Sequence, residues 1–128
     1  MTTPYTVLCV DDEALGLQIR GALLETAGYR VLTALDGKTA LVLFADHEIH
    51  AVLLDYLMPE MDGGLVATAM RKIKPRVPIL LHSACVDLPQ ATIDIVDATL
   101  SKGEGPEMLI SRLQLLIEAS HVSLGSNP

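Results

Sequence analysis

Apolar positions along the chain follow two alternating patterns. Five short runs suit strands buried in a sheet: Tyr5 to Val10 (YTVLCV), Arg30 to Ala34 (RVLTA), Ala51 to Asp55 (AVLLD), Ile79 to Ser83 (ILLHS) and the weaker Ala98 to Ser101 (ATLS). Between and after them apolar residues recur at helical spacing. Leu15, Ile19, Ala22, Leu23 and Thr26 predict a first helix with an inward face, which Gly28 is placed to end. Ala40, Leu41 and Phe44 predict a second, after the turn at Asp36-Gly37. A third runs from about Gly64 to Ile73 with Val66, Ala69, Met70 and Ile73 inward. Pro89 starts a short fourth helix burying Ile93 and Val96, and Pro106 opens a last one with Leu109, Leu113, Leu116 and Ile117 on one face. Strict strand–helix alternation predicts an α/β fold, a doubly wound five-stranded parallel sheet with five helices and right-handed crossovers.

Composition narrows the class. A chain of 128 residues with half its residues apolar and a mean hydropathy of +0.40 is one folded domain. Residues 1–119 form it, and the polar stretch 120–128 reads as a flexible tail. No apolar run approaches the ~20 residues of a membrane span, and the start lacks a basic region with a following apolar core. Cys9 and Cys85 form no disulfide framework, so a reduced, cytoplasmic protein is expected, without membrane insertion. A net charge of −7 argues against nucleic acid as a direct partner. The basic group Arg71, Lys72, Lys74 and Arg76 reads as a solvated helix end.

The chemistry lies where the strands stop. Asp11 and Asp12 follow the first strand, Asp55 ends the third, Ser83 ends the fourth and Lys102 follows the fifth. In a parallel sheet all carboxyl ends lie on one edge, so these five residues converge. Three carboxylates so close repel one another unless a cation is present. Oxygen ligands with room for water suit Mg²⁺. The three acids, a divalent ion and Lys102 sum to zero charge. A carboxylate nucleophile, a divalent ion, a lysine and a hydroxyl are the parts that phosphoryl transfer needs.

The stretches VLCVDDE, AGYRVLTALDGKTAL, VLLDYLMPEMDGG, PILLHSA and LSKG, in this order and spacing, resemble a receiver (response-regulator) domain of two-component signal transduction, over roughly Thr6 to Ala119. The resemblance implies a flavodoxin-like sheet of order 2-1-3-4-5. It implies that Asp55 accepts a phosphoryl group from a phosphohistidine on a histidine kinase or a histidine phosphotransfer protein. Asp12, Asp55 and the backbone carbonyl of Leu57 would hold Mg²⁺, with Asp11 acting through water. Lys102, the Ser83 hydroxyl and the Ala84 N–H would bind phosphoryl oxygens. Such a module is not an enzyme beyond its own phosphorylation and dephosphorylation. It switches contacts with a downstream protein whose identity is open, and a phosphorylation-dependent homodimer is open too. With no output domain following, the chain resembles a stand-alone receiver in a phosphorelay.

Three positions depart from the family pattern. Thr99 stands where an aromatic normally couples to the hydroxyl residue, Gly103 replaces a proline after Lys102, and Leu57 is apolar where many relatives are polar. A non-proline cis bond costs about 2.5–4 kcal/mol, so a trans bond and a looser loop are expected at Gly103. His82 should point away from Ser83 and reads as a packing or surface residue rather than a catalytic one. Two rivals remain. A haloacid-dehalogenase-type phosphohydrolase also uses an aspartyl nucleophile with Mg²⁺, but Asp55-Tyr56-Leu57 lacks that class's second acid. A non-phosphorylated interaction module with a receiver fold is disfavoured by the intact set of five polar residues.

Overall fold

A computed structural model of the protein describes residues 4–84 and 87–125, with side chains to residue 121. The elements alternate as expected: β1 (Thr6–Val10), α1 (Ala14–Thr26), β2 (Arg30–Ala34), α2 (Gly37–Asp46), β3 (Ala51–Leu54), α3 (Gly63–Ile73), β4 (Ile79–Ser83), α4 (Gln90–Ile95), β5 (Ala98–Ser101) and α5 (Pro106–Gly125). The strands form one parallel sheet of order β2-β1-β3-β4-β5. α5 continues past Ser120 to Gly125, through most of the stretch read as a tail.

Because strand side chains alternate between faces, the sheet separates two cores. On one face Val7, Cys9, Leu53, Leu80 and Leu100 pack against Leu17 and Leu24 of α1 and Leu109, Leu113 and Ile117 of α5. On the other, Leu8, Val10, Leu54, Ile79 and Leu81 meet Ala40 and Phe44 of α2, Val66, Ala67 and Met70 of α3, and Val96 beyond α4. Burial of β1, β3 and β4 on both faces accounts for their unbroken apolar runs.

Local chemistry sets the helix limits. Asp36 and Asp62 cap α2 and α3 by accepting from the Thr39 and Leu65 amides, at 2.7 and 3.0 Å. α1 ends in a Schellman turn: Gly28 has φ +103°, its N–H donates to Glu25 O, and the Tyr29 N–H donates to Leu24 O.

Several side chains differ from expectation. In α1 the buried residues are Leu17, Gly21 and Leu24, whereas Leu15 and Ile19 are 70% and 60% exposed. The helix has apolar residues on both sides, and the side holding Leu17, Gly21 and Leu24 is the one that packs on the sheet, with Gly21 facing Val31 and Thr33. Ile73 and Ile93 also face outward, and Ala67 and Thr92 are buried on their helices. Nor is the basic group merely solvated. Arg71 donates to Ile95 O and Val77 O and pairs with Asp97, while Lys74 Nζ donates to Phe44 O and His47 O, both at 2.7 Å. These cations tie α3 to the loops around it.

Candidate phosphoacceptor site

The β-strands deliver the polar residues to one edge. Asp11 immediately follows β1 and Asp55 immediately follows β3, and both are buried. The Asp55 N–H donates to Val10 O at 3.0 Å, which fixes the two strand ends side by side. Asp12 is exposed at the mouth. Ligand oxygens of Asp11, Asp12 and Asp55 lie within 4.8 Å of one another, the one group among the described residues that could hold a metal ion. Beside it a cleft of about 650 Å³ opens, lined by Asp12, Leu35 to Thr39 and Pro59 to Met61.

Lys102 crosses from β5 to complete the site. Its Nζ lies 2.9 Å from Asp11 Oδ2 and 3.2 Å from Asp55 Oδ1, and its backbone N–H donates to Ser83 O at 2.9 Å. Ser83 is buried at the end of β4, in register with Ser101; Ala84 and Leu57 are exposed on the loops beyond their strands. The structure therefore joins Asp11, Asp12, Asp55 and Lys102 in one cluster, with Ser83, Ala84 and Leu57 around the same edge. Cys85, two residues past Ser83 in the sequence, lies outside the described residues.

The loop after Asp55 is built for close approach. A Cβ on Gly63 would come within 2.6 Å of the Asp55 carbonyl oxygen and 2.8 Å of Tyr56 Cα, so only glycine lets α3 start against Asp55. Glu60 has φ 69° and the Met61 N–H donates to Pro59 O at 2.7 Å, a γ-turn of the sparsely populated kind.

Two carboxylates here are driven in opposite directions. Burial raises the Asp55 pKa, the Asp11 charge raises it further, and Lys102 only partly opposes them. Burial also disfavours charge on Asp11. There the Glu13 N–H, the Lys102 ammonium and the Arg20 guanidinium prevail, and its pKa falls below the usual range. Lys102 is held charged, because Asp11 and Asp55 outweigh its own burial. Cys9 is inert: burial pushes its thiol up to about 12.

The family model for the response regulator receiver domain matches residues 7–114. This chain belongs to the response regulator receiver family. It is 32% identical to the probable transcriptional regulator ycf27 of Cyanidium caldarium over 88% of the chain and 46% of that protein. It is 36% identical to the regulatory protein AtoC of Escherichia coli, over 71% of the chain and 20% of that protein. The receiver thus spans less than half the length of these curated relatives. Among solved structures, a CheY-like receiver from Methanospirillum hungatei shares the fold with a TM-score of 0.91, at 20% identity over 94% and 99% of the two chains. Response regulator protein TrrA of Thermotoga maritima, in complex with Mg²⁺–BeF, has a TM-score of 0.81 at 29% identity over 88% and 98%.

Within this receiver Thr99 is exposed on β5, and none of the three tyrosines and one phenylalanine lies on that strand. No cis peptide bond occurs among the described residues, as expected for Gly103. Near the site, Arg20 was not anticipated, and His82 lies closer to the acids than its sequence reading implied. Arg20 of α1 pairs with Asp11 Oδ2, and His82 is buried at 6% exposure on the α1 face of the sheet. The signal for Arg20 was its spacing: it falls between Leu17 and Leu24 on the buried stripe of α1, where a cation requires a partner. His82 does pack away from Ser83, yet it borders a small cavity shared with Asp11, Arg20 and Asp55.

Proposed function

We propose that this receiver takes a phosphoryl group onto Asp55 from a phosphohistidine of a histidine kinase or histidine phosphotransfer protein, with Mg²⁺, and that the modification changes its contacts with a downstream protein. The observation that carries this reading is the cluster itself. A buried carboxylate stands 3.2 Å from a lysine ammonium, with two further carboxylates within metal-sharing distance. The neighbour bound to Mg²⁺–BeF supports it, since beryllofluoride stands in for a phosphoryl group.

In the transfer, the P–N bond of the donor breaks as a P–O bond forms to an Asp55 carboxylate oxygen, and the leaving imidazole takes up a proton. Lys102, already against Asp55, pairs with a phosphoryl oxygen, and the Ser83 hydroxyl and the Ala84 N–H donate hydrogen bonds to the others. Asp12, Asp55 and the Leu57 carbonyl offer oxygen ligands for Mg²⁺, with Asp11 reached through water. When bound, the ion supplies positive charge to the transferring phosphoryl oxygens. The exposed pair Leu15 and Ile19, on the helix that starts just past Asp12, gives a partner apolar surface to bury beside the crevice.

Asp12→Ala is the test. It removes the exposed acid at the mouth and leaves the buried pair, so the domain folds while divalent-ion affinity falls at least tenfold and uptake from acetyl phosphate stops. An unchanged metal titration in this variant would rule out the assignment of the ion.

A further inference from the structure

Arg20 is a second cation at the crevice, and phosphoryl transfer as described above has no use for it. Its side chain is 17% exposed and donates to Asp11 Oδ2, the same oxygen that accepts from Lys102 Nζ. Gly16, one turn earlier, makes the room: a Cβ there would stand 3.2 Å from Arg20 Nη2. The remaining oxygen, Asp11 Oδ1, accepts from the Glu13 N–H at 2.9 Å. A carboxylate has about four acceptor positions, and three of those on Asp11 are taken. A divalent ion next to Asp11 would have to face two positive groups or displace one.

His82 gives the displaced group somewhere to go. It lines the same small cavity as Arg20, Asp11 and Asp55, and its buried Nδ1 has no hydrogen-bond partner among the described residues. A neutral imidazole protonated on Nε2 presents Nδ1 as an acceptor. Burial and the nearby Arg20 and Lys102 charges keep the ring neutral, with a pKa down at about 4. Leaving a buried polar atom unpaired is costly, so a guanidinium arriving there is favoured.

We propose that Arg20 is a built-in competitor of the divalent ion, held on Asp11 while the acid cluster is free of metal and passed toward His82 Nδ1 when an ion binds. The inference rests on the metal-dependent acceptor reading and adds a regulation to it. Three carboxylates with Lys102 and Arg20 leave the crevice one negative charge. A divalent ion makes it one positive, and replacing the Asp55 monoanion with an acyl phosphate dianion brings it to zero. Arg20 therefore moves neutrality from the ion-bound state to the phosphorylated one. The ion alone binds weakly, and the ion and the phosphoryl group favour each other.

The test uses Mn²⁺ as probe, counting free ion by electron paramagnetic resonance in wild type, Arg20→Met and Arg20→Gln, with and without beryllofluoride. Both variants should bind Mn²⁺ about tenfold more tightly than wild type, and beryllofluoride should tighten binding less in them than in wild type. In ¹⁵N spectra of the histidine rings, Mg²⁺ should shift His82 Nδ1 in wild type and leave it unmoved in Arg20→Met. The glutamine variant keeps a polar side chain of similar reach, so one variant remains informative if the other fails to fold. Equal or weaker Mn²⁺ binding in both variants, with wild type binding the ion, would overturn the proposal and leave the acceptor reading standing. If no form binds Mn²⁺, the metal reading fails and this inference fails with it.

Discussion

Asp55→Asn is expected to abolish phosphoryl uptake while the domain folds and melts higher in the absence of metal. The amide is nearly isosteric with the carboxylate, so packing around a residue only 5% exposed is preserved. It is no nucleophile, which removes the reaction rather than slowing it. The stability change follows from the sign of the shift. Burial and the neighbouring Asp11 charge raise the Asp55 pKa in the folded protein. A raised acid contributes stability that is full below its unfolded value, near pH 4, and lost as pH rises through the folded value. At neutral pH the ionised Asp55 is a cost to folding, and asparagine removes it. The loss of the Lys102 contact subtracts little, because Lys102 keeps Asp11. A gain on the order of 1 kcal/mol corresponds to a midpoint about 4 °C higher for a domain of this size. Thermal melts in EDTA from pH 3 to 8 check it: the gain should shrink toward zero below about pH 4. Uptake of label by the variant, or a lower midpoint at neutral pH, would contradict the account.

The same substitution at Asp11 should act in the opposite direction. Asp11→Asn, in EDTA at neutral pH, is expected to destabilise the domain by about 2 kcal/mol, near 8 °C in the midpoint. Asp11 carries Arg20 and Lys102 on one oxygen, and asparagine would leave two cations converging on a neutral amide. Removing one partner from a fully buried ion pair costs about 3–5 kcal/mol. The Arg20 and Lys102 side chains are partly wet, which calls for the lower figure, and relief of repulsion with Asp55 lowers it further. Here the folded pKa is depressed, so the contribution is present above the unfolded value and lost as pH falls through the folded one. The deficit of the variant should therefore narrow in acid below about pH 4. A variant as stable as wild type at neutral pH would show that the Arg20 and Lys102 contacts contribute nothing.

These opposed signs mark where the sequence was informative and where it was not. The sheet edge was legible, because four of the five runs end on or just before a polar site residue, and their carboxyl ends lie along one edge of a parallel sheet. The composition of the α1 face was not. Its sequence, ALGLQIRGALLET, has apolar residues on both sides, and spacing alone does not say that Leu17, Gly21 and Leu24 form the inward stripe. Choosing Leu15 and Ile19 for the core hid Arg20, which stands on the true stripe. His82 was correctly placed away from Ser83, but that it shares a small cavity with Asp11 and Arg20 is set by which side of α1 faces the sheet, which no spacing rule conveys. Ile73 and Ile93 faced outward for a related reason: on short or terminal helical turns a single apolar residue weighs little against the packing of its neighbours.

The central claim is that Asp55 is the acceptor, and chemical trapping tests it most directly. Wild-type protein is incubated with Mg²⁺ and acetyl phosphate, reduced with borohydride, and mapped by peptide mass spectrometry. Reduction converts an aspartyl phosphate to homoserine, so the account predicts homoserine at position 55, dependent on Mg²⁺ and at no other aspartate. Homoserine at position 11 or 12, or none at any position under conditions that label other receivers, would contradict it.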